Sequence, residues 1–481
     1  MAERNGDEVS EFHATEERVA EHSAVFRKEL GLRDLALTQI LFIIGLSWVG
    51  AAAKLGPAHV VFWLLAITFF YFPSAAVVIY LNRMMPLEGG LYQWAKLGFN
   101  ELFGFMVAWN LWLYVITNTS EAGLQLATNI AYAMGPSGAW IASNKWIITL
   151  ASVLVVSLLV YVSTVGLSVG KWVHNVGGII MLTVFAALII LPFIHVARGT
   201  MTHYAPLATA IPVVSLFSLN ILGKLGFGAL GGFEYVAILA GECRSPGRTI
   251  GRSVLIAAPV IAVMFILGTS SVLAFIPLDR IDLIAPIPQV LSVGLAPFGL
   301  AALIVPVALG LLMTLRIAQA SVNFTGLTRL PMVAGWDHLL PQWFTKLHPR
   351  YKTPVNSILL VGTMTLALGL LSLIGVGNQE SFQLLFNAGG IFYALTYLVM
   401  FSIPLFGLRA ITPKPPLWLR IAAASGLLMT LLYVCLSIFP IIEVKSSSAF
   451  TVKVTAVIVI ANAVGAGIFL LGQRKRATAA R

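Results

Sequence analysis

From Leu35 to Leu471 the chain alternates apolar runs of about twenty residues with short polar stretches. A hydrocarbon core of about 30 Å takes ~20 helical residues per crossing. The pattern therefore predicts an all-α integral membrane protein with about twelve transmembrane helices. The expected spans are 35–53, 58–81, 101–133, 146–168, 171–194, 212–241, 250–275, 295–324, 354–375, 381–405, 418–440 and 451–472. Glycine marks two of them. The first reads IIGLSWVGAAAKLG, with Gly45, Ser47 and Gly50 near its middle; the sixth reads GFGALGGFE, with Gly226, Gly228, Gly231 and Gly232 ahead of Glu234. In lipid a broken helix survives only where protein or a polar cavity satisfies its backbone. Spans one and six hold the same place in two successive sets of five, the pattern of an inverted-repeat transporter with its substrate between two broken helices. The plainer reading of the same glycines is close packing of helices through small residues.

A break exposes N–H groups at the start of a half-helix, suited to a carboxylate, and loose carbonyls at the other end, suited to an ammonium. An amino acid carries both groups. Glycine lets such a substrate approach the main chain, and Ser47 adds a hydroxyl donor.

Composition agrees with the pattern: 58% of residues are hydrophobic, 10% are charged and the mean hydropathy is +0.91, far from the quarter of charged residues usual in soluble chains. With the N-terminus in the cytoplasm, 22 lysines and arginines flank the spans on that side and 6 on the other. The positive-inside rule then puts both termini in the cytoplasm of a multi-pass inner or plasma membrane protein. The net charge of +11 reads as topology and attraction to anionic membrane lipids, not nucleic-acid binding. The expected organisation is a mobile cytoplasmic tail over 1–34, a ten-helix transport core over 35–405, two further transmembrane helices over 406–472 and a cytoplasmic tail over 473–481. The N-terminal tail lacks the apolar stretch of a signal peptide. Cys243 and Cys435 suggest no disulfide framework.

An ionisable residue inside a span costs at least ~2.5 kcal/mol on insertion scales, so each is a functional candidate. Glu234 follows the glycines of span six, where it either handles a proton or braces the unwound segment. Glu121 shares one helical face of span three with Asn118, Gln125 and Thr128 or Asn129. Lys224 comes to a similar depth in span six, and two otherwise stranded charges suggest a Glu121–Lys224 ion pair, with substrate contact by either residue as the alternative. Arg316 lies in span eight near Gln319, Ser321 and Asn323, in the core or snorkelling to an interface.

Four stretches resemble the amino acid, polyamine and organocation transporter superfamily over nearly the whole chain from about Leu30. Leu46-Ser-Trp-Val-Gly50-Ala-Ala52 occupies the place of the first-span motif Gly-Ser-Met-Ile-Gly-x-Gly, keeping Ser47 and Gly50 and losing two glycines. Gly232-Phe-Glu234 and Ala240-Gly-Glu242 match the sixth-span motif. LEGGLYQW, Leu87 to Trp94, resembles the re-entrant loop after span two, and Thr328 to Ile358 the long cytoplasmic loop after span eight. The resemblance implies a LeuT-like core of two inverted five-helix repeats, broken in helices one and six, with two peripheral helices. It implies that backbone of Gly45, Ser47, Trp48, Val49 and Gly50 holds a substrate carboxylate, with Trp48 shrinking the site or stacking on what binds. Carbonyls among Phe227, Gly228, Ala229, Leu230 and Gly231 would receive the amino group, and an aromatic gate maps to Phe227 or Gly228. Pro86 to Gly90 would form a cytoplasmic gate. The lysine that proton-coupled members often carry in span five falls at Met181 here, which leaves exchange, facilitated transport or protonation through Glu121 or Glu234.

Asp279, Asp282 and Asp337 fall in loops, so no intramembrane aspartyl pair forms, and neither a His-Glu-x-x-His nor a nucleotide-binding Gly-x-x-x-x-Gly-Lys-Ser/Thr stretch exists. The expectation is an amino acid permease without cofactor or metal, with a polyamine transporter or antiporter as the alternative and a non-transporting sensor further off. Its expected partners are an amino acid or amine, protons and membrane lipids.

Overall fold

The computed structural model describes residue 14 and residues 17–281, 286–298, 301–372, 378–407, 414–439 and 446–479. Asp7, Asp282 and most of the expected N-terminal tail before Glu17 lie outside them, as do the last two residues of the C-terminal tail. Among the described residues every named element is helical. In chain order they are α1 (Leu32–Ile43), α2 (Trp48–Ala53), α3 (Gly56–Met84), α4 (Leu91–Gly98), α5 (Glu101–Ser120), α6 (Ala122–Met134), α7 (Lys145–Val165), α8 (Leu167–Ala197) and α9 (Leu216–Ala229). There follow α10 (Tyr235–Ile238), α11 (Pro246–Phe275), α12 (Pro286–Leu295), α13 (Ala301–Leu327), α14 (Leu330–Trp336), α15 (Val355–Leu371), α16 (Asn378–Phe406), α17 (Leu417–Ser437) and α18 (Ser447–Ala479).

Nine helices among the described residues are long and apolar enough to cross a membrane. The expected spans one, six and nine fall instead on shorter helical pieces, the first two because the backbone breaks where glycine clusters. Large apolar side chains cover the outside, among them Leu158, Tyr161, Trp172, Leu417 and Val452. A water-facing surface does not carry so much exposed apolar area; this is a multi-pass membrane protein.

Lipid supplies no hydrophobic drive between helices, so small residues bring backbones together. A Cβ on Gly177 would lie 2.5 Å from Ala318 Cβ, and one on Gly178 3.0 Å from the Leu37 carbonyl, which locks α8 onto α13 and α1. The adjacent glycines 389 and 390 of α16 face different partners: Thr117 of α5 and Tyr433 of α17. Helix α16 thus stands between α5 and α17.

The N-terminal segment departs from the expected mobile tail. Val19, Phe26 and Leu30 are buried, Leu30 forms a backbone bridge with Cys243, and the Lys28 ammonium donates to the Gly241 carbonyl. These apolar side chains, spaced among the acids, dock the segment against the end of the sixth span.

Candidate functional site

Helix α1 stops at Ile43, Ile44 turns to extended backbone (φ −76°, ψ 100°), and α2 restarts at Trp48. The freed carbonyls are not left bare. Gln319 of α13 donates its Nε2 to the carbonyls of Ile44 (2.7 Å) and Leu41 (3.1 Å). Ser47 is the residue before α2 and makes no capping bond with its side chain. Val49 and Gly50 are buried, while Gly45, Ser47 and Trp48 keep partial exposure.

The sixth-span break is stitched differently. Lys224–Ala229 is wound more loosely than an α-helix, and the Leu230 N–H closes onto the carbonyls of Gly226 and Phe227. The Phe227 carbonyl also accepts from Gly231 N–H at 3.0 Å; it is occupied within the segment. Gly232 has φ +136°, a backbone only glycine adopts readily. Its N–H donates to the Tyr397 hydroxyl at 2.6 Å, and Tyr393 and Tyr397 both donate their hydroxyls to the Glu234 carboxylate. Glu234 thus ties the break to α16. Ala229 and Leu230 are fully buried beneath it.

The two breaks meet. The Trp48 ring lies 2.5 Å from where a Cβ on Gly45 would sit and 2.8 Å from where one on Gly228 would sit. Both glycines exist to admit that indole, and Trp48 occupies the space that the missing motif glycines would have left. Its ring also contacts Phe386 of α16, with centroids 5.9 Å apart. Phe227 is enclosed by Phe70, Tyr393, Tyr397 and Tyr433, its ring 4.7 Å from Tyr433.

The expected Glu121–Lys224 ion pair does not form. Both Glu121 carboxylate oxygens are buried without an ion-pair partner among the described residues, with Gln125 beside them, and the Lys224 ammonium lies over the Tyr433 ring, 5.8 Å from its centroid. The reason is rotational: Lys224 faces the α17 side of α16, whereas Glu121 shares its helical face with Tyr114 and Thr117 on the α5 side. Tyr114 meets Tyr393 and Thr117 meets Gly389, so α5 and α16 run antiparallel. Glu121 caps the C-terminal end of α5, where the Ser120 carbonyl lies 2.7 Å from where a Cβ on Gly369 of α15 would sit. Arg316 is half-buried one turn before Gln319, with no ion pair among the described residues.

One end of the molecule is sealed. Residues 87–95, 229–243 and 321–335 are buried throughout. Glu88 accepts from Gly241 N–H at 2.6 Å, and Gly89 N–H donates to the Ile238 carbonyl at 3.1 Å. A Cβ on Gly90 (φ +44°) would meet Ala237 backbone at 2.7 Å, so only glycine lets this loop seat. Arg329 donates Nε to Glu242 at 2.9 Å, Lys96 pairs with Asp337 at 2.5 Å, and Arg476 bridges Glu101 and the Asp337 carbonyl. Burial and the neighbouring Glu242 push the Glu88 carboxyl up to about 8. Pro86 to Gly90 therefore docks on the same half of span six that carries Glu234.

Sequence reading missed Tyr393, Tyr397 and Tyr433 and did not foresee Gln319 as a cap. Tyr393 and Tyr397, four apart in an apolar run, form one face of α16; that spacing was the available signal.

Compared with known proteins, residues 34–462 match the family described as amino acid permease. The chain is similar to an uncharacterised transporter of Legionella pneumophila, 22% identical over 81% of this chain and 83% of that one. It is similar also to a probable agmatine/putrescine antiporter of Lactococcus lactis, 22% identical over 84% of each chain. A branched-chain amino acid permease of Bacillus subtilis is 22% identical over 75% of this chain and 79% of its own.

Proposed function

Since the chain belongs to the amino acid permease family, we propose that it is a secondary or exchange transporter that moves an amino acid across the cell membrane by alternating access. In this reading twelve spans cross the bilayer, the first ten as two inverted repeats, with both termini in the cytoplasm. The observation that carries it is the meeting of two broken helices at Trp48, each break held by a different neighbour: Gln319 for the first, Tyr397 for the sixth. The sealed end then faces the cytoplasm, and the partly exposed Ser47, Trp48 and Gly228 face the open side.

The substrate carboxylate belongs at the start of α2, by Ser47 and Gly50. With the Phe227 carbonyl already occupied, the amino group belongs nearer Gly228 and the Trp48 and Phe386 rings, where a cation gains from aromatic faces. Glu234 braces the opening through two tyrosines, so its protonation would loosen span six.

Counterflow of labelled amino acids into preloaded proteoliposomes tests this without assuming a driving ion. Uptake that depends on the internal amino acid is expected, and Tyr397→Phe should slow it. Binding without counterflow would leave a sensor instead. A diamine or polyamine antiporter is the second reading; the unpaired Glu121 carboxylate favours it, as does similarity to a probable agmatine/putrescine antiporter. Diamine counterflow that competes with no amino acid would establish it.

A further inference from the structure

Resting on the transport reading and deepening it to substrate class, we propose that the substrate carries a second acidic group, recognised by Lys224 together with Arg316. Lys224 is 3% exposed, has no carboxylate within ion-pair distance among the described residues, and holds its ammonium against the Tyr433 ring. The same ring comes within 3.5 Å of where a Cβ on Gly228 would sit, the position that also meets Trp48. The ammonium is therefore one aromatic ring away from the meeting point of the two breaks. A buried ammonium without a counter-charge is costly, and a transported anion supplies one when it binds.

Arg316 lies on the same side of the breaks. The Arg329–Glu242 pair shows that α13 and the sixth span end at one face of the molecule, and the Leu30–Cys243 bridge puts the start of α1 there too. Lys224, Arg316 and Trp48 are then all on the far side of the breaks from that sealed face. Lys224 stands four residues before Gly228, about 6 Å along a helix, and Arg316 three before Gln319, about 4.5 Å. Glu121 makes no ion pair with either cation among the described residues. Beyond the carboxylate site proposed at the start of α2, two unpaired cations complement a second carboxylate on the ligand. A dicarboxylic amino acid has that charge pattern; a diamine would bring only positive charge towards Lys224 and Arg316.

The test is binding to the purified full-length protein, alongside counterflow in proteoliposomes, with labelled glutamate, aspartate, glutamine, leucine and agmatine. Wild type is expected to bind and exchange glutamate or aspartate. Lys224→Met should weaken that binding about 10- to 100-fold while keeping glutamine, the loss of one hydrogen bond to a charged group, and Lys224→Arg should retain the preference for the acid. Arg316→Gln should show the same selective loss; unchanged affinity would remove Arg316 from the site. Exchange of glutamine, leucine or agmatine without glutamate or aspartate overturns the acidic-substrate proposal and leaves the transport reading standing. Glutamate bound but never exchanged supports the acid site and removes transport, and neither binding nor exchange removes both. If Lys224→Met fails to fold, competition between glutamate and glutamine on wild type decides the question: equal competition overturns the proposal.

Discussion

At the sealed end six charged side chains form ion pairs; around the breaks three do not. Arg329 meets Glu242, Lys96 meets Asp337 and Arg476 meets Glu101, whereas Glu121, Lys224 and Arg316 stand without ion pairs among the described residues. All six lysines, arginines and acids of the first group serve to hold chain segments together. The second group pays the desolvation cost without that return, which is the mark of groups kept for something that comes and goes. Glu234 lies between the two cases, a carboxylate in the break yet satisfied by two tyrosine hydroxyls.

Removing one member of a buried pair should have the largest effect. Arg329→Met strands Glu242 and is expected to destabilise the protein by about 3–5 kcal/mol, seen as a lower melting temperature, with Arg329→Met/Glu242→Met recovering much of the loss. A double variant no better than the single would mean that the pair does not hold this end. Next comes Tyr397→Phe, which deprives both Glu234 and the Gly232 N–H of a partner and should cost about 1.5–3 kcal/mol. Tyr393→Phe removes only the Glu234 contact and should cost less; a reversed order would argue against Tyr397 as the brace.

The pH dependence of the sealed end has a definite sign. Burial raises the Glu88 carboxyl from its ordinary 4.5 to about 8, so the native state keeps its proton longer than the unfolded chain does. Stability from this group is full below pH 4.5 and is lost as pH rises towards about 8. Melting temperatures across that range should fall in wild type and fall less in Glu88→Gln. The smallest loss of stability is expected at Lys224→Met, which strands no partner and removes an uncompensated buried charge: the melting temperature should not fall below that of wild type despite the effect on acid binding. A large loss of stability there would mean that Lys224 belongs with the paired charges after all.

The membrane class and both helix breaks were legible in the chain because they depend on local properties. Composition and run length decide whether a segment prefers lipid, and glycine clusters weaken a helix wherever it packs. The break positions at Gly45 to Ser47 and at Gly226 to Gly232 follow from those facts, as does Glu234 beside the second break. Which side chains meet there was not legible. Periodicity put Glu121 on the right helical face and Lys224 at a similar depth, yet the two form no ion pair among the described residues. Nor could spacing show that Gln319 would cap the first break or that Tyr433 of α17 would border the second. In lipid, apolar pattern barely constrains how a helix is rotated, since apolar residues are at home on every face. Small-residue contacts and polar caps settle that rotation, and they exist only once the helices have packed.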